Sequence, residues 1–203
     1  MSPGRRVAML SLAALLAGGC AAGTAGLDVR YPEAGVNRAM LSTVAPRAVE
    51  IVPVVDRRVD PTRIGTSPKT GQDIVTARPV TEVIREALAL ELAKNGHALV
   101  AGRRDVALAA SVEECWHDTV VGHSTTQYVG KIAVALAVTD GRTGDAVLAR
   151  RYIGIKRRAT ETDSAGEDAE RKVMDAALAR VMHDLATDPE LVRALAAVPA
   201  TRP

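Results

Sequence analysis

The sequence predicts an α+β domain, with an antiparallel or mixed sheet of about four to five strands and helices packed on one face. Three observations carry this. Val80, Val83, Ile84, Ala87, Leu88, Glu91 and Leu92 recur at helical spacing. Between Val106 and Ile155, apolar residues alternate through three segments, separated by Gly122-His123-Ser124 and by Asp140-Gly141-Arg142-Thr143-Gly144. Met174, Ala177, Leu178, Val181, Met182 and Leu185 then trace a second helical stripe.

Taken in order, residues 48–56 read as a buried, β-branched strand, with Pro53 marking an edge or a bulge. Residues 57–73 hold Pro61, Gly65, Pro68 and Gly71 and read as a long loop, a length that is uncommon without a function. Residues 80–94 are the firmest helix: Pro79 suits its start, Lys94 its last turn, and Asn95-Gly96 its stop. Glu91 on its apolar stripe is tolerable near the edge. A short strand follows at 98–101. In the first meander strand Val106, Leu108, Ala110, Val112 and Trp116 share one parity, with Glu114 as the exception. The return strand puts Ile132, Val134, Leu136 and Val138 on one face, and a third strand runs from Ala146 to Ile155. Ser164 and Glu167 fit a capping box for the next helix, and Asp188-Pro189 opens a final short helix ending near Ala197.

The first 19 residues are read as a signal peptide rather than a fold element. Arg5-Arg6 precedes an apolar run from Val7 to Ala17, which is too short for the roughly 20 residues that span a bilayer. The exit, Leu16-Ala17-Gly18-Gly19-Cys20, resembles the lipobox of bacterial lipoproteins. That resemblance makes Cys20 the lipidated first residue of the mature chain and gives a membrane partner through its anchor. Ala17 stands where a lipobox usually has Leu, and the competing reading is ordinary cleavage that leaves a soluble secreted protein. Residues 20–45 are expected to be a tether, and residues 46–198 a single periplasmic domain. Within the tether, residues 27–31 alternate and suggest a short edge strand.

Composition narrows the function classes. Without Arg5 and Arg6 the 26 basic side chains become 24, equal to the 24 acidic ones. A strong sequence-independent nucleic-acid binder would need a basic surplus. With only Tyr31, Trp116, Tyr128 and Tyr152 as aromatics and no Phe, stacking platforms for bases are not expected either. No nucleic-acid partner and no cofactor are expected. If Cys20 is lipidated, Cys115 has no intramolecular partner, and the domain must fold without a disulfide.

The layout is similar to the YajG-type outer-membrane lipoproteins. The matching pieces are Val54-Val55-Asp56-Arg57-Arg58, Arg63-Ile64-Gly65, Asn95-Gly96-His97 and Val138-Thr139-Asp140-Gly141-Arg142-Thr143-Gly144, and the match covers about residues 46–187. The resemblance implies a small lipidated α/β domain facing the periplasm, without catalytic residues to carry over. Ala21, rather than the Asp that retains lipoproteins at the inner membrane, implies sorting to the outer membrane.

Candidate chemistry is sparse. Glu113, Cys115 and His117 share one strand face at i, i+2 and i+4, and His123 lies across the turn. No ligand pair recurs at a known metal spacing, so a merely polar outward face is the preferred reading, and no metal site is assigned. His117-Asp118 and His183-Asp184 invite a triad, but adjacent strand residues point to opposite faces, and Gly122-His123-Ser124 lacks the second Gly of a nucleophile elbow. No catalytic residue is assigned, and the expectation is a non-enzyme. Asp56 and Arg58 are spaced to pair. Arg150-Arg151 and Lys156-Arg157-Arg158 form a basic run that reads as solvated surface, with contact to anionic polymers or headgroups as its functional counterpart. The expected activity is binding of another envelope component, an unidentified envelope protein, through the 57–73 loop, whose Arg57, Arg58, Arg63 and Lys69 exceed Asp60 and Asp73. The alternative is a periplasmic domain that binds a small ligand or a metal.

Overall fold

A computed structural model describes residues 26–32, 40–161 and 167–200. The signal peptide, Cys20 and the proposed capping box at Ser164 lie outside the described residues.

Strand β1 (Ala48–Ile51) and strand β2 (Val55–Asp56) are the two halves of the expected first strand. Pro53 lies between them, and lacking an N–H it cannot continue a ladder. Both halves run parallel to β6 (Val106–Val121). The expected loop 57–73 contains structure of its own. Strands β3 (Gly65–Thr66) and β4 (Asp73–Ile74) form a small antiparallel pair. Helix α1 (Val80–Lys94) buries the stripe read from the sequence, and β5 (Ala98–Leu99) returns parallel to β1. The meander consists of β6, β7 (Thr125–Asp140) and β8 (Ala146–Glu161), each 16 residues long. Helices α2 (Glu167–Ala186) and α3 (Pro189–Ala197) close the described fold.

The main sheet is mixed, with order β5-β1-β6-β7-β8 and β2 also on β6. Its helices pack on one face. Helix α2 lies so close to β7 and β8 that a Cβ on Gly130 would come 2.6 Å from the Val173 carbonyl oxygen, and one on Gly154 would overlap the Ala177 carbonyl. Those two glycines are what permit the approach. Arg47, 7% exposed, donates to the carbonyls of Leu195 (3.1 Å) and Val198 (3.0 Å), joining the end of α3 to the start of β1. Asp188 caps α3 by accepting from the Glu190 N–H at 2.8 Å, and its other oxygen accepts from the Tyr152 hydroxyl at 2.8 Å.

Three expectations need correction. Residues 26–32 and 40–45, placed in the tether, belong in part to the body: Leu27, Val29, Tyr31, Leu41 and Val44 are buried in its core. The alternation at 27–31 is real, but it yields a single bridge from Leu27 to Thr76 rather than a strand. Glu91 is not at the edge of its stripe. It is fully buried and accepts hydrogen bonds from the Tyr31 hydroxyl (2.7 Å) and the Asn95 amide (2.9 Å). Burial raises its carboxyl above the ordinary range, opposed by those two donors. Third, the parity of β6 changes midway. The register shifts between Val112 and Glu114, a bulge that inserts Glu113 and reverses the facing of every residue beyond it. Cys115 and His117 turn into the core, and Trp116 turns out of it.

Candidate functional site

The residues singled out in the sequence do not converge. Beyond the bulge, Cys115 is 3% exposed and burial pushes its thiol up to about 12. It is therefore neutral and shielded at ordinary pH, the opposite of an activated nucleophile. His117 is 1% exposed, and burial takes its imidazole down to about 4, against a small upward pull from Asp118. Its ring lies 6.0 Å from that of Tyr128, and neither nitrogen has a hydrogen-bond partner among the described residues. Glu113, at the bulge, pairs with Arg151 on the opposite face, and His123 is exposed in the turn. Cys115 and His117 therefore share the buried face, and neither Glu113 nor His123 joins them there. Among the described residues no group of three or more His, Cys, Asp or Glu is placed to hold a metal ion. Asp118 is exposed while His117 is buried, as opposite strand faces require. Asp184 pairs with Arg180 at 2.9 Å rather than serving His183, which is exposed.

The loop cations divide into two kinds. The Arg58 side chain is only 6% exposed and holds Asp56 at 2.8 Å. It also donates to the carbonyls of Pro61 (2.8 Å) and Arg63 (3.0 Å), so it shapes the loop from inside. Its charge and hydrogen bonds keep the Asp56 carboxyl below the usual range. Arg63 is held between Asp60 and Asp73, both at 2.8 Å, with its guanidinium 5.9 Å from the centre of the Trp116 ring. Arg57 and Lys69 are exposed. The spacing of Asp56 and Arg58 made their pairing legible, but nothing local signalled the carbonyls that Arg58 also binds.

The surface that sequence reasoning missed is the helix-free face of the sheet. Ala109 and Ser111 of β6, Ala135 and Ala137 of β7 and Ala149 of β8 floor a groove of about 470 Å³. Val52, Pro53, Val55 and Arg57 wall it on one side, and Arg150 and Arg151 on the other. Register explains the floor: Ala109 pairs Ala137, which pairs Ala149, and Ser111 pairs Ala135, which pairs Arg151. Further along, Lys131 binds Glu114 at 2.8 Å across the strands. Val55, Ile153 and Ile155 are 50%, 39% and 47% exposed beside this groove. The available signal was a row of alanines at alternate positions, which also suits a crowded core.

No family model and no curated protein matches the chain. Solved structures do. A Xanthomonas campestris protein, XCC0632, assigned to the family model DUF330, is 19% identical, with a TM-score of 0.54 over 79% of this chain and 90% of that one. The two share a fold. A minor lipoprotein from Acinetobacter baumannii is 18% identical over 79% of this chain and 99% of its own, with a TM-score of 0.38. Lipoprotein GNA1162 from Neisseria meningitidis is 11% identical over 68% and 99%, with a TM-score of 0.39.

Proposed function

We propose that this chain is a non-catalytic lipoprotein of the YajG type. Lipid on Cys20 holds it at the bacterial outer membrane, and its domain faces the periplasm and docks another envelope component. The observation that carries the docking reading is the helix-free, alanine-floored face between Val55 and Ile155. A contiguous apolar surface with a charged rim is a common form for an interaction site. The non-catalytic reading is supported by the burial of Cys115 and His117, which leaves neither available as nucleophile or base at the surface. The sheet face rather than the 57–73 loop is taken as the docking site, a reading supported by Arg58 and Arg63 being paired with partners inside the loop. Arg57 remains at the border of the sheet face.

Two experiments test the proposal. Intact mass of the mature protein should show acylation at Cys20, and Cys20→Ser should release the protein from the membrane; an unmodified soluble chain starting elsewhere removes the anchor. Ala135→Arg, on the groove floor, should leave the folded protein at its normal level and fail to complement a deletion. Full complementation removes the docking face.

A further inference from the structure

The meander has two edges, and they are treated differently. The edge of β6 is covered along much of its length. Residues of β1 and β2 pair with it, the Arg57 N–H donates to the Val112 carbonyl at 2.8 Å, and the His117 N–H donates to the Ile64 carbonyl at 2.5 Å. Strand β8 ends the sheet on the other side. Among the described residues, no backbone group pairs with its free edge. Every second residue of such a strand directs its N–H and C=O away from its neighbour.

The side chains along that edge have one sign. From Arg150 to Arg158 there are five cations and no acid. Arg150 is satisfied by Asp188, the cap of α3, and by Glu190 in its first turn, and Arg151 by Glu113. Lys156, Arg157 and Arg158 are exposed and have no carboxylate partner among the described residues. Edge cations commonly keep a strand from pairing with its own kind, and here they would set three cations against three if a second copy docked on β8. A purely protective edge would have no use for Ile153 and Ile155, which stand exposed next to those cations.

We infer that the free edge of β8 takes up an extended, acidic segment of a partner protein as an added strand. The segment's backbone completes the open ladder, its acids answer Lys156 and Arg158 on one face of β8, and its alternate apolar residues lie against Ile153 and Ile155 on the other, where Arg157 flanks them. This deepens the docking proposal by naming the occupant's chemistry.

The test uses the full-length protein in detergent and a fluorescein-labelled ten-residue peptide of alternating Glu and Val, read by fluorescence anisotropy. The peptide should bind, and a Lys-Val peptide should not. Methylating alternate amide nitrogens should weaken binding at least tenfold in one of the two registers and spare it in the other. Lys156→Glu with Arg157→Glu and Arg158→Glu should also weaken it at least tenfold, with an unchanged urea midpoint. If that variant fails to fold, the two methylated peptides on the native chain still decide. Equal binding of both methylated peptides overturns strand addition. So does a dimer of the protein that the peptide dissociates, or binding to anionic phospholipid vesicles with none to the peptide. Absence of peptide binding alongside a functional defect in Ala135→Arg removes the edge proposal and leaves docking on the sheet face standing.

Discussion

The two faces of the β6–β7–β8 meander come from the same three strands and follow different rules. On the inner face, Ile132, Val134 and Leu136 belong to one core with the stripes of α1 and α2, and Gly130 and Gly154 admit the α2 backbone almost to contact. On the outer face, the equivalent positions include Ala135, Ala137, Ile153 and Ile155, and no helix covers them. Small residues inside permit packing, whereas small residues outside leave a groove. The difference teaches that the inner face carries stability and the outer face is free to carry recognition.

The sharpest way to break that comparison is to add volume to each face in turn. Gly154→Val would drive a side chain into the Ala177 carbonyl. Overpacking costs typically about 1–3 kcal/mol, and against backbone we expect about 3 kcal/mol, read from urea unfolding. Ala137→Val on the outer face should change stability by less than about 0.5 kcal/mol. Equal losses would show that the outer face is packed after all.

Acid should act on the inner face as well. His117 is neutral in the fold down to about 4, while in the unfolded chain it gains a proton near pH 6.5. The unfolded state therefore binds more protons between those values. Stability is highest above about pH 6.5 and falls as pH is lowered toward 4, by up to about 3 kcal/mol from this group. His97, also buried and held below its ordinary value, adds in the same direction. Glu91, with its raised carboxyl, opposes them: its contribution is full at low pH and is lost as pH rises through its folded value. Urea midpoints from pH 4 to 7 should show the net fall, and His117→Leu should flatten the slope. An unchanged slope in that variant would place the titration elsewhere.

Tyr31→Phe tests one buried contact. Removing the hydroxyl that donates to Glu91 should cost about 1–3 kcal/mol at neutral pH, because it leaves a buried carboxyl short of a donor. The smallest expected effect is chemical: the Cys115 thiol should ignore a thiol reagent in the native protein and react fully in urea. Rapid native reaction would mean that the strand beyond the bulge opens readily.

Much of this was legible in the sequence. Helix α1, both meander turns and the start of α3 rest on local signals: the apolar stripe from Val80 to Leu92, Asp140-Gly141, and Asp188-Pro189. The bulge left a trace, because Glu114 broke the parity of its strand. That trace was read as an exception rather than as a change of phase, so Cys115 and His117 were placed outward. The role of Glu91 was not legible, since its donor Tyr31 lies sixty residues away in a segment read as tether. Nor was the bare face. Alternating alanines do not say which side the helices choose, and that choice is settled by the approach of α2 to Gly130 and Gly154.

The central claim is that recognition belongs to the helix-free side of the sheet. Photo-reactive residues placed singly at Ala135 and Ile153, and on the exposed helix surface at Arg85 and Arg193, test it in intact cells. The account predicts one cross-linked product of common mass from Ala135 and Ile153, and none from Arg85 or Arg193. Products from the helix positions, with Ala135 and Ile153 silent, would contradict it.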